Sequence, residues 1–192
     1  ALPFLDYTIG TTPTVFAMAD LEGDWKTDLA IVSQNIVSLI RNKIGDGQVC
    51  PGGNTNFISN LMGSTYQWQV STDSLIFNNV NDNATYTSTH NLRLQLNNLP
   101  SSWYGYQYRC IVDGTSSNIF TIKFFNTWTG STNSSWENPA NWSCGSVPDA
   151  NTDVVIASGT VILNSNTTIR SLVLNPGVNF TINPGYNLTI TH

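Results

Sequence analysis

Apolar and polar residues alternate along much of the chain, in short runs that end at Gly, Pro, Asn or Asp. Tyr66-Gln67-Trp68-Gln69-Val70 is the plainest case; Leu92, Leu94 and Leu96 repeat it, and Tyr106, Tyr108 and Cys110 share a face of another run. A period of two predicts strands with one buried side. Other runs are continuously apolar and bounded by polar turns, which also reads as strand: Val15-Phe16-Ala17-Met18-Ala19, Asp28-Leu29-Ala30-Ile31-Val32, Ile36-Val37-Ser38-Leu39-Ile40 and Ile119-Phe120-Thr121-Ile122-Lys123-Phe124. The predicted class is all-β. Breaks in the pattern divide the chain into residues 1–49, 50–125 and 126–192.

Composition sharpens this. Lys and Arg number 7 and Asp and Glu 12, so 10% of the 192 residues are charged, against about 25% in a typical domain. Asn, Thr and Ser replace the missing charge; they suit strands and turns and suit long helices badly. A net charge of -5 with no basic patch argues against nucleic-acid binding. No apolar run reaches the ~18 residues of a membrane span. The chain begins at Ala1 without a signal peptide, which reads as a processed chain or a fragment. Cys50, Cys110 and Cys144 permit at most one internal disulfide. Low Lys, high Asn and Thr, and 6 Trp fit an exported protein.

In the first segment, Asp20, Glu22, Asp24 and Asp28 occupy alternate positions of a tight acidic turn, with Lys26 able to add its backbone carbonyl. Ca²⁺ takes about six to eight oxygens, so these five plus water form a candidate site. A solvated acidic hairpin is the alternative. The stretch ADLEGDWKTDLAIVSQNIVSLIRN resembles an FG-GAP (VCBS) repeat, the blade of integrin-type β-propellers. The resemblance implies Ca²⁺ held by Asp20, Glu22, Asp24, Lys26 and Asp28. Trp25 stands where the family favours Gly, and Glu22 is longer than the usual Asp, so weaker binding is expected. The match covers about one blade, whereas a propeller closes with about four or more. Either the other blades have been lost from this chain or the strands pair with something else.

The order Cys50, Trp68, leucine strand and YGYQYRC in the second segment resembles an immunoglobulin-like sandwich. It implies Trp68 as the core tryptophan, Tyr108 as the tyrosine corner and a Cys50–Cys110 bridge, worth about 4 kcal/mol by chain entropy. Cys50 lies ahead of the usual inter-sheet position, which falls near Ser59. Cys144 is left over: free and buried, paired with a residue missing from this chain, or, as the least favoured option, swapped into a pair with Cys110. The CPGG and YQYRC phrases are similar to those of secreted proteins of the Bacteroidetes group.

The third segment opens with Trp128, Trp136 and Trp142 in turn-rich sequence. They read first as plugs for the end of a β structure, and alternatively as glycan platforms. Asn175-Pro176-Gly177-Val178-Asn179-Phe180-Thr181-Ile182 and Asn183-Pro184-Gly185-Tyr186-Asn187-Leu188-Thr189-Ile190 then align as octads. Pro-Gly makes a turn, and the pattern begins a β-solenoid or an array of stacked hairpins. The segment resembles modules of bacterial adhesin-like proteins.

Candidate chemistry is sparse. His90 and His192 lie outside any zinc spacing, and no nucleophile elbow, phosphate loop or zincin helix occurs. Asp73, Asp82 and Asp113 fall in loops, and Asp149 and Asp153 read as turn caps. The expectation is a non-catalytic adhesive or structural segment of an exported cell-surface protein. Its partners would be neighbouring domains or other copies of itself, joined through exposed β edges into a fibre. The alternative is a carbohydrate-binding accessory region of a larger secreted enzyme, with Trp103, Tyr104, Trp128 and Trp136 as the glycan-contacting aromatics.

Overall fold

The computed structural model describes residues 13–19, 28–33, 36–40 and 48–192. These fall into two compact units, Ala1–Ile44 and Gly45–His192. The architecture is all-β, as the alternation predicts.

In the first unit, β1 (Pro13–Ala19), β2 (Asp28–Ser33) and β3 (Ile36–Ile40) form an antiparallel meander in that order. Ile31 on the central strand is buried, whereas Val15, Phe16 and Met18 on edge strand β1 are all more than half exposed. Adjacent residues of a strand point to opposite faces, so β1 is uncovered on both.

The second unit begins with β4 (Gln48–Val49), β5 (Thr55–Ile58), β6 (Tyr66–Ser71), β7 (Asn78–Asn79), β8 (Tyr86–Thr87), β9 (Arg93–Leu96), β10 (Gln107–Val112), β11 (Thr115–Ser116) and β12 (Phe120–Thr121). One antiparallel sheet runs β5-β9-β8; the other runs β7-β6-β10, with β11 and β12 both pairing β10. Phe57, Leu94 and Leu96 from the first meet Trp68, Tyr108, Cys110 and Val112 from the second in one buried cluster, giving a β-sandwich-like arrangement. Trp68 is fully buried and its indole N–H donates to Asn91 O at 2.9 Å. Tyr108 is also buried, and its hydroxyl meets that of Tyr86 at 3.2 Å, a side-chain partner where a tyrosine corner would use backbone.

The chain continues through β13 (Lys123–Thr127), β14 (Asp153–Ile156), β15 (Thr160–Leu163), β16 (Thr167–Ile169), β17 (Ser171–Leu174), β18 (Asn179–Ile182) and β19 (Leu188–Ile190). All their pairings are parallel: β13 with β14 and β14 with β17, β15 with β18, and β16 with β19. This is a three-sided solenoid in which β14–β16 make a first coil and β17–β19 a second. Parallel pairing removes the stacked-hairpin alternative. The expected boundary at 125/126 lies inside β13, which pairs β4 on its other side.

The octads do not stack on each other. Residue partners are Asp153 with Ser171, Thr160 with Asn179 and Thr167 with Leu188, so the stacking period is a whole coil and each octad is one corner plus one side. The corner chemistry follows from Asn-Pro-Gly. Val178 N bonds Asn175 O and Tyr186 N bonds Asn183 O, while Gly177 and Gly185 take φ of 88° and 92°. Pro at the second turn position and a positive-φ Gly at the third define a type II turn.

Candidate functional site: the sandwich–solenoid junction

Three features tie the sandwich to the coils. First, β4, β13, β14 and β17 form one parallel sheet that runs from the first strand of the sandwich segment into both coils.

Second, a disulfide joins Cys50 to Cys144, whose Cα atoms are 5.4 Å apart. This corrects the expected Cys50–Cys110 bridge; Cys110 is a free, buried thiol. The reason lies in register. Cys50 follows β4, and β4 lies against β13, whose far end carries the loop bearing Cys144. Buried Asn126 shapes that loop: its Oδ1 accepts from Cys144 N (3.1 Å) and Ser143 Oγ (3.2 Å), and its Nδ2 donates to Ser146 O (2.7 Å). Cys110 sits mid-strand on β10 opposite Trp68, facing the sandwich interior. Burial raises its thiol pKa.

Third, a polar cluster bridges the two parts. Pro100 and a 3₁₀ turn at Ser101–Trp103 project Tyr104 from the loop between β9 and β10. Tyr104 Oη donates to Asp153 Oδ2 at 2.5 Å, and Ser171 Oγ donates to Asp153 Oδ1 at 2.5 Å. Both carboxylate oxygens of this buried residue are thereby engaged, as a buried charge requires. The Arg170 guanidinium lies 3.9 Å above the Tyr104 ring, and its Nε is 3.7 Å from Asp153 Oδ1. That last separation is an ion pair and too long for a hydrogen bond, so Arg170 is held by charge attraction to Asp153 together with the cation–π contact to Tyr104. Burial, then the neighbouring Asp153, pushes the Tyr104 hydroxyl pKa up to about 12. Nearby, Ser101 Oγ donates to Asp149 Oδ2 at 2.6 Å. Asp149 also accepts from Asn151 N and Thr152 Oγ1, the turn-capping role the sequence predicts. Asp153 does something different: it is a strand residue of the junction.

The tryptophan segment closes the coil end nearest the sandwich. Trp136 and Trp142 rings meet edge to face at 4.6 Å, Trp128 and Trp142 at 5.0 Å, and Trp136 reaches Phe180 of the second coil at 5.9 Å. Trp128 is 6% exposed and Trp136 fully buried, so both are withdrawn as glycan platforms; they plug the core, since large rings bury much apolar area there. Buried Asn141 satisfies the surrounding backbone, accepting from Thr132 N and Asn133 N and donating to Ser135 O. Glu137 fastens the segment to a coil corner, accepting from Asn164 N at 2.6 Å and from the Ser135 and Ser165 hydroxyls. Partial burial opposes its charge, yet these donors hold its pKa below the usual carboxylate value. A concavity of about 230 Å³ beside Trp128 is lined by uncharged residues such as Thr129, Asn133, Ser134 and Ser158.

Trp103 is half-buried in a stack between Tyr86 (5.8 Å) and Tyr106 (5.3 Å), and Tyr104 belongs to the junction. Of the calcium candidates, Asp20, Glu22, Asp24 and Lys26 lie outside the described residues, as does the side chain of Asp28. Among the described residues no group of three or more His, Cys, Asp or Glu is placed to hold a metal. Asp73 accepts from Ile76 N and Leu75 N, Asp82 from the Thr89 hydroxyl and Thr89 N, and Asp113 from Ser64 N and the Thr65 hydroxyl, contacts that lower their pKa values. Sequence reasoning missed the Tyr104–Asp153–Arg170 cluster. Its faint signal was a pair of opposite charges, Asp153 and Arg170, about one coil apart in a charge-poor chain.

Residues 127–192 match the family model of a domain of unknown function, DUF8693. That span covers the tryptophan plug and both coils. No curated protein and no solved structure matches the chain. Among the described residues no helix is long and apolar enough to cross a membrane.

Proposed function

We propose that the chain is a non-catalytic structural segment of an exported, adhesin-like surface protein, in which a sandwich and a short solenoid are locked into one stiff piece. The observation that carries this reading is the junction: a continuous sheet, a disulfide and a buried carboxylate clamp converge where a flexible linker would otherwise sit. Flexible linkers are Gly- and Ser-rich and let domains move independently. Here β13 serves both modules, so bending at that point breaks strand pairing. The Cys50–Cys144 bridge supports an oxidising compartment. The uncovered strand β1 supports β-edge contact with a neighbouring domain or copy. The FG-GAP-like and immunoglobulin-like resemblances point to the same class, with Ca²⁺ in the acidic turn as part of the reading.

The experiment is a thiol count on protein isolated from its native source without reductant. One thiol, labelled only after denaturation, is the expected result. Three labelled thiols would place the chain in a reducing compartment and end the export reading.

A further inference from the structure

The concavity beside Trp128 contains a donor that the fold leaves unused. Trp128 is 6% exposed, its ring packs edge to face on Trp142, and its backbone N–H donates to Val155 O. Among the described residues its indole N–H has no acceptor, whereas the indoles of Trp68 and Trp142 donate to Asn91 O and Trp136 O. A donor withdrawn from bulk water without a partner carries a desolvation cost. Two glycines show where this N–H points. A Cβ added at Gly130 would lie 2.9 Å from Trp128 Nε1 and one at Gly159 would lie 3.7 Å from it, and both glycines line the concavity. A side chain at position 130 would crowd the indole edge, so glycine keeps it open. The space it opens into, about 230 Å³, holds roughly seven waters at ~30 Å³ each.

The walls are pre-formed and neutral. Thr129 N and Gly130 N both donate to Asn141 O (2.7 and 3.2 Å), Ile162 N donates to Ser134 O (2.7 Å), and Asn179 N donates to Gly159 O (3.0 Å), so backbone bonds tie each lining segment to the fold. Every side chain in the lining carries a hydrogen-bonding group and none carries charge. Among the described residues the hydroxyls of Thr129, Ser134, Ser158 and Thr160 have no partner. Asn133 engages its Oδ1 with Ser135 N and Asn141 Nδ2, which leaves its own Nδ2 available. An ionic ligand would find no opposite charge here, as a desolvated charge requires. An apolar ligand would leave the indole N–H and the hydroxyls unpaired. A small neutral molecule dense in hydroxyls matches, because each hydroxyl both donates and accepts and the indole N–H donates only.

We infer that this concavity binds one neutral sugar ring, with the Trp128 indole N–H donating to a sugar oxygen and the hydroxyls of Ser134, Ser158 and Thr160 completing the contacts. Trp128 contributes the edge of its indole and not a stacking face, so its burial against Trp142 is part of the site. The inference goes beyond the structural reading above and does not depend on it, since the site is built from the tryptophan plug and one coil corner alone. A free monosaccharide and the end of a glycan chain both present such a ring. Methyl glycosides, which mimic the chain end, tell the two sources apart.

The test is titration of the full chain with glucose, galactose, mannose, N-acetylglucosamine and their methyl glycosides, followed at the tryptophan indole N–H signals by nitrogen–proton correlation NMR. Glycerol at matched concentration is the control for an adventitious additive. Expected is a saturable shift of the Trp128 indole signal with at least one sugar in the millimolar range, while the Trp68 signal, whose N–H is already engaged, stays in place. The double variant Ser158→Ala, Thr160→Ala removes two hydroxyls at an exposed corner and should weaken that sugar at least fivefold. Trp128→Phe, read from saturation transfer to the sugar, should do the same, and the double variant carries the test should Trp128→Phe misfold. Trp103→Phe, in the separate stack of the sandwich, should bind within twofold of the parent. No shift at tens of millimolar of any sugar, a shift that glycerol reproduces, binding indifferent to the double variant, or equal loss in Trp103→Phe would each overturn the inference.

Discussion

The sandwich and the solenoid bury apolar side chains by different means. In the sandwich two antiparallel sheets cover one another, and Trp68, Leu94 and Tyr108 are enclosed from both sides within a single cluster. In the solenoid each coil is covered by its neighbours along the stack. Ile156 is sealed because it has β13 on one side and β17 on the other; Leu174, one coil further, is nearly half exposed. A sandwich is complete when its second sheet arrives, whereas a solenoid is only as complete as its two ends. Here the sandwich end has an aromatic plug and a covalent tie, and among the described residues the other end has neither.

The largest effect expected from this contrast is in the cores. Trp68→Ala removes a fully buried indole with a hydrogen bond and should cost about 3–5 kcal/mol. Ile182→Ala, at 40% exposure, should cost no more than about 1 kcal/mol. Urea denaturation of both variants makes the comparison, and equal losses would break it.

Next comes the tie between the regions. Cys144→Ser opens a bridge spanning 94 residues of sequence and should cost about 2–4 kcal/mol. Sandwich and coils, observed by separate probes, should then unfold in separate transitions where the parent shows one. Coincident transitions in the variant would show that the sheet alone couples them.

The smallest effect is the clamp. Tyr104→Phe removes a hydrogen bond to a carboxylate in a partly exposed site, expected to cost about 1–2 kcal/mol. The sign with pH is fixed by the direction of the shift. Tyr104 titrates near 12 when folded, against 10 as its ordinary value. The unfolded chain therefore loses this proton first, and the contribution is intact below pH 10 and declines as pH rises toward 12. Tyr86, Tyr108 and Cys110 also have raised values and act in the same sense. The difference between parent and Tyr104→Phe isolates one tyrosine: the parent should lose stability more steeply over that interval. Parallel profiles would remove Tyr104 from the clamp.

The same contrast explains what the sequence disclosed. Antiparallel alternation is local, so Trp68, Leu94, Leu96, Tyr108 and Cys110 were legible as one core before any coordinates. The tryptophan plug was legible too, from ring size and turn-rich surroundings. Parallel stacking is not local. The octads look like layers because they are adjacent and similar, yet a chain must travel round a whole coil before it can lie parallel on itself. The same difficulty hid the disulfide: Cys50 finds Cys144 through the pairing of β4 with β13, which no spacing rule encodes. Asp153 was misread because its neighbours suit a turn, while its partners, Tyr104 and Arg170, come from distant segments.

Residual dipolar couplings measured for the full chain in a weakly aligning medium test the central claim most directly, namely that sandwich and coils move as one piece. Amides of residues 48–122 and of residues 127–192 should fit a single alignment tensor. Two tensors of different magnitude in the oxidised protein would mean that the junction bends, and would contradict the account.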